Sequence, residues 1–148
     1  MQINNTVTRA FSVLVLGLAA SLALGACADE SSGGGDEVSF AVDVQPILME
    51  RCGGCHLKEA NGAGKLSLGT NAELAYAALV DQTTMNTSCA NLKRIDSTNH
   101  DPMQSSLFVK IVGTTCGKQM PAGMMPVLLT DVQIEVFRRW IAAGAPNN

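Results

Sequence analysis

The sequence predicts an all-α domain over residues 39–148. Three observations point there. Apolar residues recur at helical spacing, in Val44, Ile47 and Leu48 and again in Ile134, Phe137 and Ile141. Helix start and stop signals bracket these segments, most clearly Thr130 with Gln133 before the last one and Gly144 with Pro146 after it. No convincing run of alternating apolar and polar residues asks for a strand. Glycines at 62, 64, 69, 113 and 117 mark the loops between segments, and none forms a phosphate-binding fingerprint.

Two segments precede this domain in the 148-residue chain. Residues 1–26 read as an export leader, with Arg9 in a polar start, an apolar stretch from Ala10 to Leu24, and small residues after it. The stretch spans 15 residues, short of the ~20 that a membrane-spanning helix needs. Leu24-Gly25-Ala26-Cys27 resembles the bacterial lipobox. That resemblance implies cleavage before Cys27, lipidation of its thiol and anchoring in a lipid bilayer through several acyl chains. A cleaved signal with an incidental cysteine, or an uncleaved anchor, are the competing readings. Ala28 stands where many enterobacterial lipoproteins carry the aspartate that retains them in the inner membrane. An outer membrane is therefore favoured if the cell has two. Residues 27–38 then form the lipidated N-terminus and a Gly/Ser-rich acidic tether.

The first helix of the domain is expected from Asp43, as N-cap, to Arg51, with Pro46 tolerated in the first turn. It leads into Cys52-Gly53-Gly54-Cys55-His56, the covalent haem attachment signature. Two thiols separated by two residues can each add to a vinyl group on one edge of a haem, which brings the adjacent histidine under the iron. Cys52 and Cys55 are expected to form thioethers and His56 to be the proximal ligand, with the glycines easing a tight turn. A thiol–disulfide redox motif would normally accompany a βαβ pattern, which is lacking. A zinc site from Cys52, Cys55, His56 and His100 would need consecutive residues to share one tetrahedral ion.

The second helix is expected from a capping box of Thr70 and Glu73 to about Asp81, with Leu74, Ala78 and Leu79 facing inward. A third should run from Ser105 to Val112 and stop at Gly113. Five methionines after the attachment motif are candidates for the sixth iron position: Met85, Met103, Met120, Met124 and Met125. Met120 is favoured because Pro121 stiffens its loop and removes a backbone donor. Met124, Met125, His100 or an open position are the alternatives. The last helix should present Ile134, Phe137, Trp140 and Ile141 to the first helix and the haem edge, with Arg138 and Arg139 outward. Trp140 is read as a core residue, with an indole hydrogen bond to a haem carboxylate as the alternative.

Charge and cysteines narrow the function classes. From Ser39 onward nine acidic residues face nine basic ones, so the domain lacks the basic footprint of a nucleic-acid binder. Of five cysteines, Cys27 belongs to the lipobox and two to the haem motif, which leaves Cys89 and Cys116 as a possible disulfide. Such a bond requires an oxidising compartment; two buried free thiols are the alternative. Few aromatic residues are available for a core, and one haem would fill the deficit.

Taken together, Phe40-x-x-x-Val44-Gln45-Pro46-Ile47-Leu48, the CGGCH motif, Met120-Pro121 and the ending Trp140-Ile141-Ala142-Ala143-Gly144-Ala145 resemble small exported class I-like c-type cytochrome domains of planctomycetes and myxobacteria. The resemblance implies orthogonal helices around one covalently bound haem c, with His56 and Met120 as axial ligands. It implies a membrane-tethered carrier of single electrons between exported redox protein partners, and not an enzyme by itself. A haem subunit of a dehydrogenase or peroxidase complex, or a haem-based sensor of small gases, are the alternative functions. The paired methionines Met124 and Met125 depart from the glycine-rich tail usual after Met-Pro in that family.

Overall fold

The computed structural model describes residues 37–57 and 62–148. The chain partitions into two units, Met1–Gly33 and Gly34–Asn148. The export leader, Cys27 and nearly all of the tether lie outside the described residues. Among the described residues no helix is long and apolar enough to cross a membrane.

The second unit is all-helical, as the sequence predicts. Its helices are α1 (Gln45–His56), α2 (Ala72–Leu79), α3 (Ser106–Val112) and α4 (Asp131–Ala142), with 3₁₀ turns at Ala63–Lys65, Thr87–Cys89 and Pro102–Gln104. Extended pairing among the described residues is limited to isolated bridges, Val80 with Ile95, Thr83 with Lys93 and Lys93 with Ser105.

The start of α1 differs from expectation. A π-helical turn over Phe40–Val44 precedes it, and Ser39 rather than Asp43 is the cap. The Ser39 hydroxyl accepts from the Val42 N–H at 3.2 Å, while the Asp43 carboxylate accepts from the Ser39 N–H at 2.8 Å. Asp43 thus serves the helix start from inside the first turn, as the reciprocal partner of the cap. The wide winding has a cause in Pro46, whose ring would press on the Val42 carbonyl four residues back in a regular α-helix.

In α2 the cap is Asn71, one residue past Thr70, and its side chain accepts from the Leu74 N–H at 2.9 Å. The buried face is Ala75 and Leu79, so Leu74 is exposed and not part of the inner face. Helix α3 starts one residue later than expected and ends at Val112 as expected, with no side-chain capping bond from its N-cap residue, Ser105. Its buried hydroxyl accepts instead from the Asp96 N–H at 2.9 Å. The capping box of α4 forms in both directions, at 3.1 and 3.2 Å. Gly144, with φ of 90°, ends the helix in a conformation that a side chain would strain.

Helix α4 packs on the π-helical turn and on α3. Phe40 lies between Trp140 and Tyr76, with ring centroids 5.1 and 5.2 Å apart, inside the attractive range for aromatic pairs. The C-terminal residues strap this cluster. Tyr76 Oη donates to the Ala145 carbonyl at 2.8 Å and Trp140 Nε1 to the Pro146 carbonyl at 2.9 Å. The indole donor is therefore committed to the chain, and Trp140 is a core residue. Asn148 completes the strap by accepting from the backbone N–H groups of Phe40 and Ala41.

Replacing Tyr76 with Phe keeps the ring but leaves the Ala145 carbonyl, on a fully buried residue, without this donor. We expect a loss of about 1–2 kcal/mol, read as a lower urea midpoint with an unchanged m-value.

Candidate cofactor site

The final turn of α1 builds one wall of the site. The sequence reading ended this helix at Arg51 and gave CGGCH to a tight turn, whereas the helix continues to His56. Cys52, Cys55 and His56 consequently stand at i, i+3 and i+4, the spacing that brings side chains onto one strip of a helix. Neither glycine between the cysteines adopts a left-handed backbone. Gly53 is buried, and a Cβ there would meet Leu57 Cδ1 at 2.9 Å, while Gly54 faces open space.

His56 is oriented by the segment that follows. Its Nδ1 lies 3.2 Å from the Leu66 carbonyl, and its own carbonyl accepts from the Leu68 N–H at 2.7 Å. A carbonyl can only accept, so Nδ1 carries the proton in this contact and the Nε2 lone pair is left for a metal. Burial, and secondarily the neighbouring Cys55, push the Cys52 thiol up to about 11. Cys52 is thus a protonated thiol at neutral pH, unlike the low-pKa attacking cysteine of a thiol–disulfide redox motif.

Met120 comes from the loop after α3, which is tied back to that helix at several points. The Met120 N–H donates to the Lys110 carbonyl at 2.8 Å and the Gln119 side chain to the Ile111 carbonyl at 2.9 Å. Lys110 Nζ donates to the carbonyls of Cys116 and Lys118 at 2.9 and 3.2 Å. Cys116 is joined to Cys89 by a disulfide, with Cα atoms 5.1 Å apart, in a small buried cluster with Val109 and Leu92.

A cavity of about 290 Å³ brings these parts together. Cys52, His56 and Met120 all line it, among Leu48, Leu66, Leu68, Leu79, Leu107 and Ile111. Cys55 is exposed and outside the lining. Of the other candidate iron ligands named from the sequence, Met85 lines the cavity, whereas Met103, Met124, Met125 and His100 do not. Met124 and Met125 are 101% and 92% exposed, and His100 Nδ1 meets the Ala142 carbonyl at 3.0 Å. Among the described residues no group of three or more His, Cys, Asp or Glu side chains could hold a metal ion, so His100 is not assembled with Cys52, Cys55 and His56 into a zinc set. Among the described residues no α4 residue lines the cavity, which is walled by α1, α3, Leu79 of α2 and the connecting segments.

Met85, a candidate ligand in the sequence but not the favoured one, also lines the cavity, together with two cations that the sequence does not single out, Arg94 and Lys110. Met85 was one methionine among five, although it precedes Cys89 by four residues just as Met120 follows Cys116 by four. Nothing local marks Arg94 or Lys110. Comparison with models of protein families, with curated proteins and with solved structures finds no match for this chain.

Two outcomes follow from this geometry. Gly54→Ala should raise stability by about 0.5–1 kcal/mol, measured by chemical denaturation. In chain made without haem and alkylated at neutral pH, Cys55 should react at least about tenfold faster than Cys52, followed by peptide mass spectrometry; equal rates would show that burial does not hold the Cys52 thiol.

Proposed function

We propose that the domain is a monohaem c-type cytochrome that carries single electrons between redox protein partners. The observation that carries this reading is the convergence of Cys52, His56 and Met120 on one apolar cavity, although 64 residues separate the last two.

The residues present fit a haem in donor chemistry and in surroundings. Thiols at Cys52 and Cys55 have the spacing and shared helix strip for two thioethers. His56 has its Nδ1 proton engaged and its Nε2 free. Met120 offers a soft thioether from a loop held by four hydrogen bonds. The cavity itself asks for a large apolar filler. Its lining is rich in leucine and isoleucine, and an apolar group seated there removes surface from water at roughly 25 cal/mol per Å².

A haem held there supplies a one-electron couple at its iron, with a potential that a methionine ligand raises. The chain's own residues bind and shield. Cys52 and Cys55 would hold the group covalently, His56 and Met120 would bind its iron, and the leucines of the lining would exclude water. No side chain is required as acid, base or nucleophile, so the protein is a carrier in this reading and not an enzyme. The export leader, the lipidated Cys27 and the acidic tether belong to the same proposal: the domain would be anchored to a bilayer on the exported side, with the tether giving it reach toward its partners.

A pyridine haemochrome spectrum of protein made with cytochrome maturation machinery should show one covalent haem per chain; its absence would overturn the proposal. Met120→Ala should lose the ferric sulfur-to-iron charge-transfer band and let the ferrous protein bind carbon monoxide. Met85→Ala, Met124→Ala and Met125→Ala should retain the band and exclude the gas. Loss of the band in Met85→Ala instead would move the axial assignment there, and rapid binding by the wild type would favour sensing or catalysis.

A further inference from the structure

We propose that Arg94 is the carboxylate-binding residue of this cavity, taking a propionate of the haem, with Lys110 as the second positive charge of the same lining. The inference rests on the haem reading above and assigns the orientation of the group within the site.

The charge of the lining differs from that of the domain. From Ser39 onward acidic and basic residues balance, yet among the described residues the cavity is lined by Arg94 and Lys110 and by no aspartate or glutamate. The acids near other cations are already engaged: Asp81 and Asp96 with Lys93, Glu135 with Arg138, and Glu50 with Arg51. Among the described residues neither Arg94 nor Lys110 pairs with a carboxylate. Arg94 is held by neutral acceptors, with Nη1 donating to the Ala78 carbonyl at 2.7 Å and Nη2 to the Lys65 carbonyl at 3.2 Å. A guanidinium has five N–H donors, so three are left for a further acceptor.

Two positive charges at the edge of an apolar hollow favour a filler that brings an anion with it. Burial pulls both the Arg94 guanidinium and the Lys110 ammonium below their ordinary values, as expected for cations with no counter-charge. The filler should therefore be an apolar body bearing carboxylates. The planar fork of Arg94, already fixed by two carbonyls, matches a carboxylate better than a mobile ammonium would. Lys110 Nζ is occupied by the carbonyls of Cys116 and Lys118, so its contribution is charge more than a directed bond.

The test uses holoprotein with ¹³C-labelled propionate carboxylates, comparing wild type with Arg94→Gln, Arg94→Lys and the exposed control Arg138→Gln. Redox-difference infrared spectra report the labelled carboxylate stretch, and spectroelectrochemistry reports the midpoint potential. In Arg94→Gln the labelled stretch should shift and the ferric form should gain about tenfold, equivalent to about 59 mV for one electron. The methionine charge-transfer band should persist. Arg94→Lys should restore most of the potential but only part of the band position, and it carries the test if the Gln variant does not accumulate. Arg138→Gln should change neither readout. A labelled stretch that does not move in Arg94→Gln overturns the assignment, including the case where the potential falls, because Arg94 would then act only as a distant charge. Lack of covalent haem in the wild type would remove the haem reading and this inference together, whereas attached haem with an unmoved stretch removes this inference alone.

Discussion

The site depends on the winding of α1 through its last turn. Were the helix to end at Arg51, Cys52, Cys55 and His56 would project in directions set by a loop. Continued to His56, the same residues share a strip, and the Leu66 and Leu68 backbone hold that end in place. Two glycines in the interior each disfavour this turn by roughly 1 kcal/mol relative to alanine. The winding is therefore maintained by contacts after the helix and not by local propensity.

A second set of restraints serves the opposite requirement, which is to hold a loop still. Residues 113–130 contain no helix, and Met124 and Met125 stand in solvent. Met120 is separated from their fate by Lys110 and Gln119, which tie its segment to α3, and by the Cys89 to Cys116 bond, which ties it to the 3₁₀ turn Thr87–Cys89. Met85 enters the cavity from the other side of the same disulfide. One covalent link thus restrains both thioether-bearing segments, and closing a loop of this length stabilises a chain by roughly 3 kcal/mol in the chain-entropy account.

What could be read in advance follows from how local each signal is. Helix α4 was legible because its cap, its Gln133 partner and its terminal glycine lie within its own sequence. In α2, Thr70 and Asn71 are adjacent residues that both make good caps, and choosing the first turned Leu74 inward by mistake. The end of α1 was misplaced because a glycine pair looks like a turn until the partners of His56 are known. Among the site residues, the attachment motif carries its own chemistry in five letters, whereas membership in a cavity lining is a property of the folded chain. Arg94 illustrates this: its two carbonyl partners lie 16 and 29 residues away. The strap formed by Asn148 on Phe40 spans 108 residues and leaves no trace in either segment alone.

The contrast in burial between the two cysteine pairs bears on assembly. Four cysteines in one domain allow three pairings, and in an oxidising compartment Cys52 and Cys55 are close enough in sequence to oxidise with each other. Attachment of the proposed haem would need that pair as free thiols, whereas the Cys89 to Cys116 bond is closed in the folded domain. Thiol exchange proceeds only where a reductant can reach a sulfur. Cys55 is exposed, whereas Cys89 and Cys116 are 4% and 3% exposed. Accessibility alone would then sort the two bonds, so that a single reductant could open the first pair for the proposed haem without undoing the link that holds the Met85 and Met120 segments.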